Sequence, residues 1–460
     1  MEFNLADLFE RVADAVGDRE ALVAGGRRLT YALLDERSTK LANGLAGLGV
    51  RAGDHVGLYL YNGAEFVETM LACFKLRAVP VNVNYRYVGE ELAHLISDAD
   101  LVSLVHHREL APRVRSIASR STSLRWLIEV DDGGGAAVEA LDALPYEDVL
   151  ASGSASRSFG PRSAGDHYVL YTGGTTGLPK GVVWRQEDIL FATLGGGNPG
   201  GPPIERPEEI GQAALANRSH RIGPFLPPGD AGPDEFVALS LGPLIHASGQ
   251  WTALSTLLGG GRLVLYTRRS MDMRCVLELV ETERVTMLTI VGDTSGRPLA
   301  DALEVRPGDV DTSSLRLLGS GGSILTPAIK DRLLSSLPSV LAISEAVGSS
   351  EAPVQATAIA TKGAPASSLS FAARDVTIVV DEDLRPVAPG SGEVGRLATR
   401  GRSPIGYYKD PASTARTFVE IDGVRWSLPG DMATVEADGT IRLLGRGSMC
   451  INTGGEKVYP

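Results

Sequence analysis

Residues 171 to 181 read YTGGTTGLPKG and hold a dense cluster of groups able to touch a ligand. Gly173, Gly174, Gly177 and Gly181 allow close backbone approach, the hydroxyls of Thr172, Thr175 and Thr176 add donors, and Lys180 brings a positive point charge. Amides, hydroxyls and an ammonium at this spacing make a cradle for a polyphosphate. It is not the loop of the common nucleotide hydrolases. That pattern needs Gly-Lys followed by Ser or Thr, and no Gly-Lys pair occurs anywhere in the chain. The bland alternative is a Gly-rich turn between two strands; three hydroxyls and a Pro-Lys-Gly ending weigh against it.

The whole-chain balance narrows the partners. Lys plus Arg number 44 against 56 Asp plus Glu, a net charge of −12. Binding nucleic acid needs a basic face, so that class of partner is not expected. Cys73, Cys275 and Cys450 are odd in number and far apart, which fits neither a disulfide framework nor a paired-cysteine metal site. A reducing cytoplasm is expected. The start MEFNLADLFERV carries Glu2 and Asp7 and lacks the apolar stretch of a secretory signal, and no uncharged apolar run approaches the ~18 residues of a membrane span.

The cradle needs elements to hold it. Tyr168 to Tyr171 reads as a strand leading into it. Upstream, Leu34, Leu41, Leu45 and Leu48 recur near helical spacing with Gly49 as a stop. Val56 to Leu60 then reads as a strand, Phe66 to Leu76 as a helix, and Val79 to Val83 and Leu101 to Val105 as strands. That alternation predicts α/β architecture with doubly wound parallel sheets. Gly, Ser and Pro-rich chain from Asp132 to Gly165 marks a boundary. Downstream strands are expected at Phe236 to Leu241, Leu263 to Tyr266, Val285 to Val291 and Leu315 to Leu318, with a helix around Cys275 to Glu283. Gly195 to Asp234, rich in Gly and Pro, reads as a long surface excursion. From Asp375 on, Val376 to Val380, Gly392 to Thr399 and Gly439 to Leu444 predict strands with little helix. The expected division is 1–165 and 166–370 as two α/β parts, 371–445 as a β-rich part, and 446–460 as a hinge opening a further domain.

TGGTTGLPKG resembles the phosphate loop of the adenylate-forming enzymes, the group of acyl-CoA synthetases, aryl-CoA ligases, luciferases and peptide-synthetase adenylation domains. Further stretches match in order along essentially the whole chain. The resemblance implies that fold and a site assembled from these stretches. Within GPLIHASGQW, Gly242 to Trp251, His246 would lie beside the acyl group, and no acidic residue is there to pair a substrate ammonium. Within GSGGSIL, Gly319, Gly321, Gly322 and Ser323 would border adenine and the acyl pocket. Within VGSSEAP, Val347, Gly348, Ser349 and Ser350 would face the nucleotide and Glu351 would hold Mg²⁺. Asp431 and Arg446 match the ribose-binding pair; a carboxylate can accept from two vicinal hydroxyls. Four positions depart from the pattern. Val347 stands where an aromatic ring often stacks on adenine, Ser323-Ile324 replaces Ala-Pro, and Ser448 replaces the Asp or Lys hinge. The resemblance also implies a mobile domain after Pro460 carrying an adenylation lysine, without which adenylation is expected to be slow.

The implied reaction joins a carboxylate to the α-phosphate of ATP and passes the acyl group to coenzyme A, with Mg²⁺ as cofactor. The cradle and Lys180 would serve the phosphates, and His246, Glu351 and Lys180 would be the catalytic set. Ala247, Ser248 and Gly249, with Gly319, Gly321 and Gly322, would leave room for a wide hydrophobic acid. The run Trp184 to Asp188 resembles actinobacterial synthetases for steroid side-chain or diterpenoid acids; read physically it is a solvated helix start. A non-catalytic nucleotide or acyl-adenylate binding protein is the competing expectation. The pair His94 and Asp98 reads as a helix-surface pair, and no GxSxG supports a serine hydrolase. Expected partners are the acid, ATP and coenzyme A, with no nucleic acid and a homodimer left open.

Overall fold

The computed structural model describes residues 1–117, 120–134, 141–173, 178–305, 308–363, 370–446, 451–452 and 457–458. The chain divides into two compact units. Met1–Gly223 with Gly232–Met271 forms the first, and Pro224–Ala231 with Asp272–Pro460 the second.

The first unit opens with α1 (Leu5–Val16), whose amino end is capped by Asn4 accepting from the amides of Ala6 and Asp7. Leu5, Leu8, Phe9, Val12 and Val16 of α1 are buried at helical spacing. There follow β1 (Glu20–Ala24), β2 (Arg27–Thr30), α2 (Tyr31–Gly47), β3 (His55–Tyr59), α3 (Ala64–Leu76), β4 (Val79–Asn82), α4 (Gly89–Asp98), β5 (Leu101–His107), α5 (Ala111–Arg115), β6 (Trp126–Val130), β7 (Ala143–Pro145) and α6 (Tyr146–Ser152). Then come β8 (His167–Thr172), β9 (Lys180–Arg185), α7 (Gln186–Ala192), α8 (Ile210–Ala216), β10 (Val237–Ser240), α9 (Ala247–Leu258) and β11 (Arg262–Leu265).

One sheet of this unit runs β9-β8-β4-β3-β5-β6-β7, parallel except for the antiparallel β8–β9 pair. A second runs β2-β1-β11-β10. Every residue of β3 and β4 is buried, the mark of strands covered on both faces. The register Val81↔Val169 carries the first sheet across the Gly, Ser and Pro-rich stretch that reads as a boundary in the sequence.

Two expectations need correction here. The segment 195–234 is not simply a surface excursion. It contains α8, and Ile204, Ile210, Ala214 and Ile222 are all buried. Gly211 lets α8 approach α1 closely, because a Cβ there would lie 3.3 Å from that of Ala15. The run Trp184 to Asp188 is likewise no solvated helix start. Trp184 and Gln186 are fully buried, Asp188 nearly so, and Gln186 Oε1 accepts from the Leu5 amide at 2.8 Å, tying α7 to α1.

The second unit comprises α10 (Met273–Thr282), β12 (Met287–Ile290), α11 (Gly292–Val305), β13 (Leu317–Gly321), α12 (Pro327–Ser336), β14 (Ala342–Val347), β15 (Ala356–Ala360), β16 (Ser370–Ala373), β17 (Thr377–Val380), β18 (Gly395–Arg400), β19 (Gly406–Tyr407), α13 (Pro411–Thr417), β20 (Phe418–Ile421), β21 (Val424–Ser427), β22 (Asp431–Val435) and β23 (Ile441–Arg446). β12, β13 and β14 are parallel; from β14 the order continues β15-β16-β23-β22-β18-β21-β20 with antiparallel pairing. The sheet thus changes from α/β to β-rich along its width. The strands around 371–445 enclose two small cores, one including Phe371, Val379, Leu397 and Ile441, the other Val380, Ala398, Trp426 and Leu428.

Candidate active site

In the first unit, β8 delivers Thr172 and β9 begins at Lys180, the two paired across the hairpin whose tip is the Gly-rich loop. Thr172 and Lys180 are half-buried and Gly173 is exposed; Gly174, Thr175, Thr176 and Gly177 lie outside the described residues. The foot of the loop is fixed by Tyr171, whose hydroxyl donates to Asp98 Oδ2 at 2.7 Å. Asp98 is therefore a support for the loop and not half of a surface pair with His94.

His246 stands at the amino end of α9 in an extended conformation, makes no capping bond, and is exposed on one side while packed by protein on the other. Surrounding protein and the nearby Arg86 cation both disfavour the charged form, desolvation more, so its pKa is lowered and the ring is neutral at pH 7. The backbone leading to it is held by three side-chain amides. Asn62 Oδ1 accepts from the Leu244 amide at 2.9 Å. Gln250 Nε2 donates to the Leu244 carbonyl at 2.8 Å, and Gln250 Oε1 accepts from Tyr168. Asn82 Nδ2 donates to the Ile245 carbonyl at 2.7 Å. Gly249 is needed for packing: a Cβ would fall 2.4 Å from the Pro243 carbonyl oxygen. Its small size is thus explained by the loop pressed against α9, which corrects the expectation that it opens space for substrate. Ala247 and Ser248 are half-buried.

In the second unit, Gly319 and Gly321 lie on β13, while Gly322 and Ser323 are exposed just beyond it. A Cβ on Gly319 would meet Met287 Cε at 3.0 Å, whereas one on Gly321 would have the Ala346 carbonyl oxygen at 3.4 Å as its one near neighbour. Asp293 pins the loop that follows, with its amide on the Ile324 carbonyl and its Oδ1 accepting from the Thr326 amide, each at 2.8 Å. After Val347 at the end of β14 the chain turns through Gly348 to Glu351. Ser349 Oγ accepts from the amides of Glu351 and Ala352, and the Gln355 amide returns to the Val347 carbonyl at 2.8 Å. Ser350 is buried in this turn.

Glu351, Tyr407, Asp431 and Arg446 are neighbours in one electrostatic cluster. Tyr407 donates to Glu351 Oε1 at 2.7 Å; burial, then the Glu351 charge, pushes the Tyr407 pKa up. Asp431 is 8 % exposed, and its Oδ2 has no hydrogen-bond partner among the described residues. Desolvation is the largest cause of its raised pKa; Arg446 opposes the rise and Glu351 adds to it. The meeting of Asp431 and Arg446 depends on a bulge. Ala433 pairs with Leu443, but Met432 pairs with Gly445 and Asp431 with Arg446, so Leu444 is the extra residue. In a ladder without the bulge, Leu444 would pair with Met432 and Gly445 would stand opposite Asp431. Gly445 has φ 94°, a left-handed conformation that favours glycine. Arg446 Nε reaches Asp431 Oδ1 at 3.4 Å, a loose contact that leaves the carboxylate able to accept from a ligand.

Among the described residues no three His, Cys, Asp or Glu side chains converge as a metal cage. Mg²⁺ does not need one, because it is commonly held by one or two carboxylates together with substrate phosphates. Glu351, oriented by Tyr407, fits that role. Sequence reading missed Asn62, Asn82, Gln250, Asp293 and Tyr407. An Asn inside the apolar strand Val79 to Val83 was a legible signal for one of them. Ser448 lies outside the described residues. No helix among the described residues is long and apolar enough to cross a membrane.

Comparison with known proteins places the chain in a family. The AMP-binding enzyme family model matches residues 9–408. The chain is 40% identical over 469 residues to a 3-oxocholest-4-en-26-oate–CoA ligase of Rhodococcus rhodochrous, covering 100% of this chain and 80% of that one. It is 42% identical over 474 residues to the medium-chain acyl-CoA ligase Mig of Mycobacterium avium, covering 99% and 82%. Among solved structures, the anthranilate CoA ligase AuaEII in complex with anthranoyl-AMP has the same fold, with TM-score 0.81, 22% identity and coverage of 99% and 80%. With the family model spanning most of its length and such identity to full-length relatives, the chain belongs to the AMP-binding enzyme family, among its acid–CoA ligases.

Proposed function

We propose that the protein activates a bulky hydrophobic carboxylic acid of the steroid side-chain type as an acyl-adenylate and transfers it to coenzyme A. A carboxylate oxygen forms a bond to the α-phosphorus of ATP as the bond to pyrophosphate breaks. The coenzyme A thiol then bonds to the acyl carbon, AMP leaves with the former carboxylate oxygen, and the thiol proton passes to solvent. Two anions must meet in the first step, so the protein contributes positioning and charge stabilisation. Thr172 to Lys180 would take the β and γ phosphates, Asp431 the two ribose hydroxyls, and neutral His246 would border the acyl group without adding charge. Glu351 would hold Mg²⁺, which when bound offsets phosphate charge.

The observation that carries the nucleotide reading is the buried Asp431 Oδ2 with no partner beside a loosely held Arg446. Burying a carboxylate oxygen unpaired is costly, and vicinal hydroxyls would remove that cost. The acyl reading is supported by the relatives' printed substrates, by the lack of an acid between Gly242 and Trp251, and by the room beside Gly321. We place the reaction in the cytoplasm, where a buried thiol such as that of Cys73 stays reduced. Calorimetry with sulfamoyl-adenosine mimics tests the proposal. A mimic carrying a polycyclic acyl group is expected to bind more tightly than its acetyl counterpart; the reverse order would overturn the substrate class, and no heat from either would overturn the function.

A further inference from the structure

Asn82 ends β4 with its side chain buried, 5 % exposed, and makes three hydrogen bonds with one amide. Its Oδ1 accepts from the Tyr171 amide at 2.8 Å and its Nδ2 donates to the Tyr171 carbonyl at 2.8 Å. These two bonds close on the backbone of a single residue, as a neighbouring strand would. β4 and β8 pair through Val81 and Val169, so the Asn82 side chain extends their junction to the foot of the Gly-rich loop. The third bond leaves that strand and reaches the Ile245 carbonyl at 2.7 Å, one residue before His246.

The two Nδ2 protons point in directions fixed by the planar amide, so both acceptors must keep their positions together. Asn62 and Gln250 differ in this respect. They hold Leu244 from either side and bond otherwise to the Tyr266 carbonyl and to Tyr168, never to Tyr171. Asn82 joins the start of the phosphate loop to the backbone that carries His246.

We propose that Asn82 is a positioning residue that couples the nucleotide side of the site to the acyl side. This rests on the assignment of those two loops above. A ligand that fixes the position of Tyr171 and Thr172 lowers the cost of fixing Ile245 and His246, and by linkage the effect is reciprocal. The coupling is carried by one side chain and is absent from its two neighbouring amides.

The test measures ATP affinity by calorimetry with and without the primary alcohol of a bulky acid, which fills the acyl side without adding charge. In the wild-type protein the alcohol should tighten ATP by about fivefold or more, within the usual range of coupling between sites. In Asn82→Ala that factor should fall below about twofold while ATP alone binds within about threefold of wild type, since a coupling contact contributes little to either ligand separately. Gln250→Ala should weaken the alcohol and keep the factor, an outcome that general loosening of the first unit would not give. Asn82→Asp keeps the bond from the Tyr171 amide and loses both donations, and it should also lose the factor.

Hydrogen exchange on the wild-type protein tests the same point should the variants not fold. ATP alone should slow exchange across residues 242–250. An unchanged factor in the Asn82 variants, or no ATP-induced protection of 242–250, overturns the coupling. Wild-type protein that binds neither ligand overturns the loop assignment itself and the coupling with it.

Discussion

The acyl loop of the first unit and the carboxylate cluster of the second hold polar groups in opposite ways. Around Leu244 and Ile245 three side-chain amides bond to backbone groups in the protein's own interior. In the second unit Asp431 keeps one buried oxygen unpartnered. The first arrangement stabilises a backbone shape that no helix or sheet supplies. The second leaves a carboxylate under-satisfied at the place where a ligand would offer hydroxyls. Buried polar groups are nearly always paired, so the satisfied amides read as scaffold and the orphaned oxygen is where the proposed ribose contact would gain most.

The sharpest way to break this contrast is to change the ligand-facing side. Glu351→Gln keeps an oxygen for the Tyr407 hydroxyl and removes the charge. It should lower pyrophosphate exchange by ~10²-fold or more, the scale of losing one transition-state contact. Asp431→Asn should weaken adenosine by roughly 10- to 100-fold, the worth of hydrogen bonds to a charged group, without lowering the urea midpoint of the protein. Gln250→Ala should do the reverse: stability should fall by about 1–3 kcal/mol for the amide partners left unpaired, read from urea unfolding, while adenosine binds as before.

The smallest expected effect is on pH. Asp431 holds its proton more tightly folded than unfolded, so its contribution to stability is full below the unfolded carboxylate pKa and is lost as pH rises through the higher folded value. Adenosine should show the opposite slope, binding better as pH rises through that same value, because hydroxyl donors favour the ionised form. In Asp431→Asn both slopes should vanish. Adenosine affinity that is flat with pH in the wild-type protein would place the ribose elsewhere.

Local pattern made much of the fold legible. The spacing of Leu34, Leu41 and Leu45 and the buried runs at Val56 and Val79 correspond to α2, β3 and β4. What escaped were features whose cause lies far away in sequence. α8 lies in a stretch so rich in Gly and Pro that its buried Ile210 and Ala214 give no clear period. Gln186 reads as helix-start polarity until its bond to Leu5 is seen. Asp431 and Arg446 were legible through motif resemblance, but the Tyr407 that orients Glu351 was not, since nothing in its own neighbourhood distinguishes it from a packed aromatic. Gly249 misled because a glycine forced by a nearby carbonyl looks, in one dimension, the same as a glycine that makes room.

The extra Leu444 in β23 makes the meeting of Asp431 and Arg446 a matter of counting along the chain. Closing the bulge by pairing Met432 with Leu444 would leave each proposed contact residue in the chain yet put a hydrogen atom opposite Asp431 where a guanidinium belongs, and the side chains beyond it would exchange solvent for interior. Lengthening the tight turn at Asp438 and Gly439 leaves this correspondence intact. Lineages of this protein should therefore tolerate added residues at that turn and resist the gain of a residue between Leu443 and Arg446.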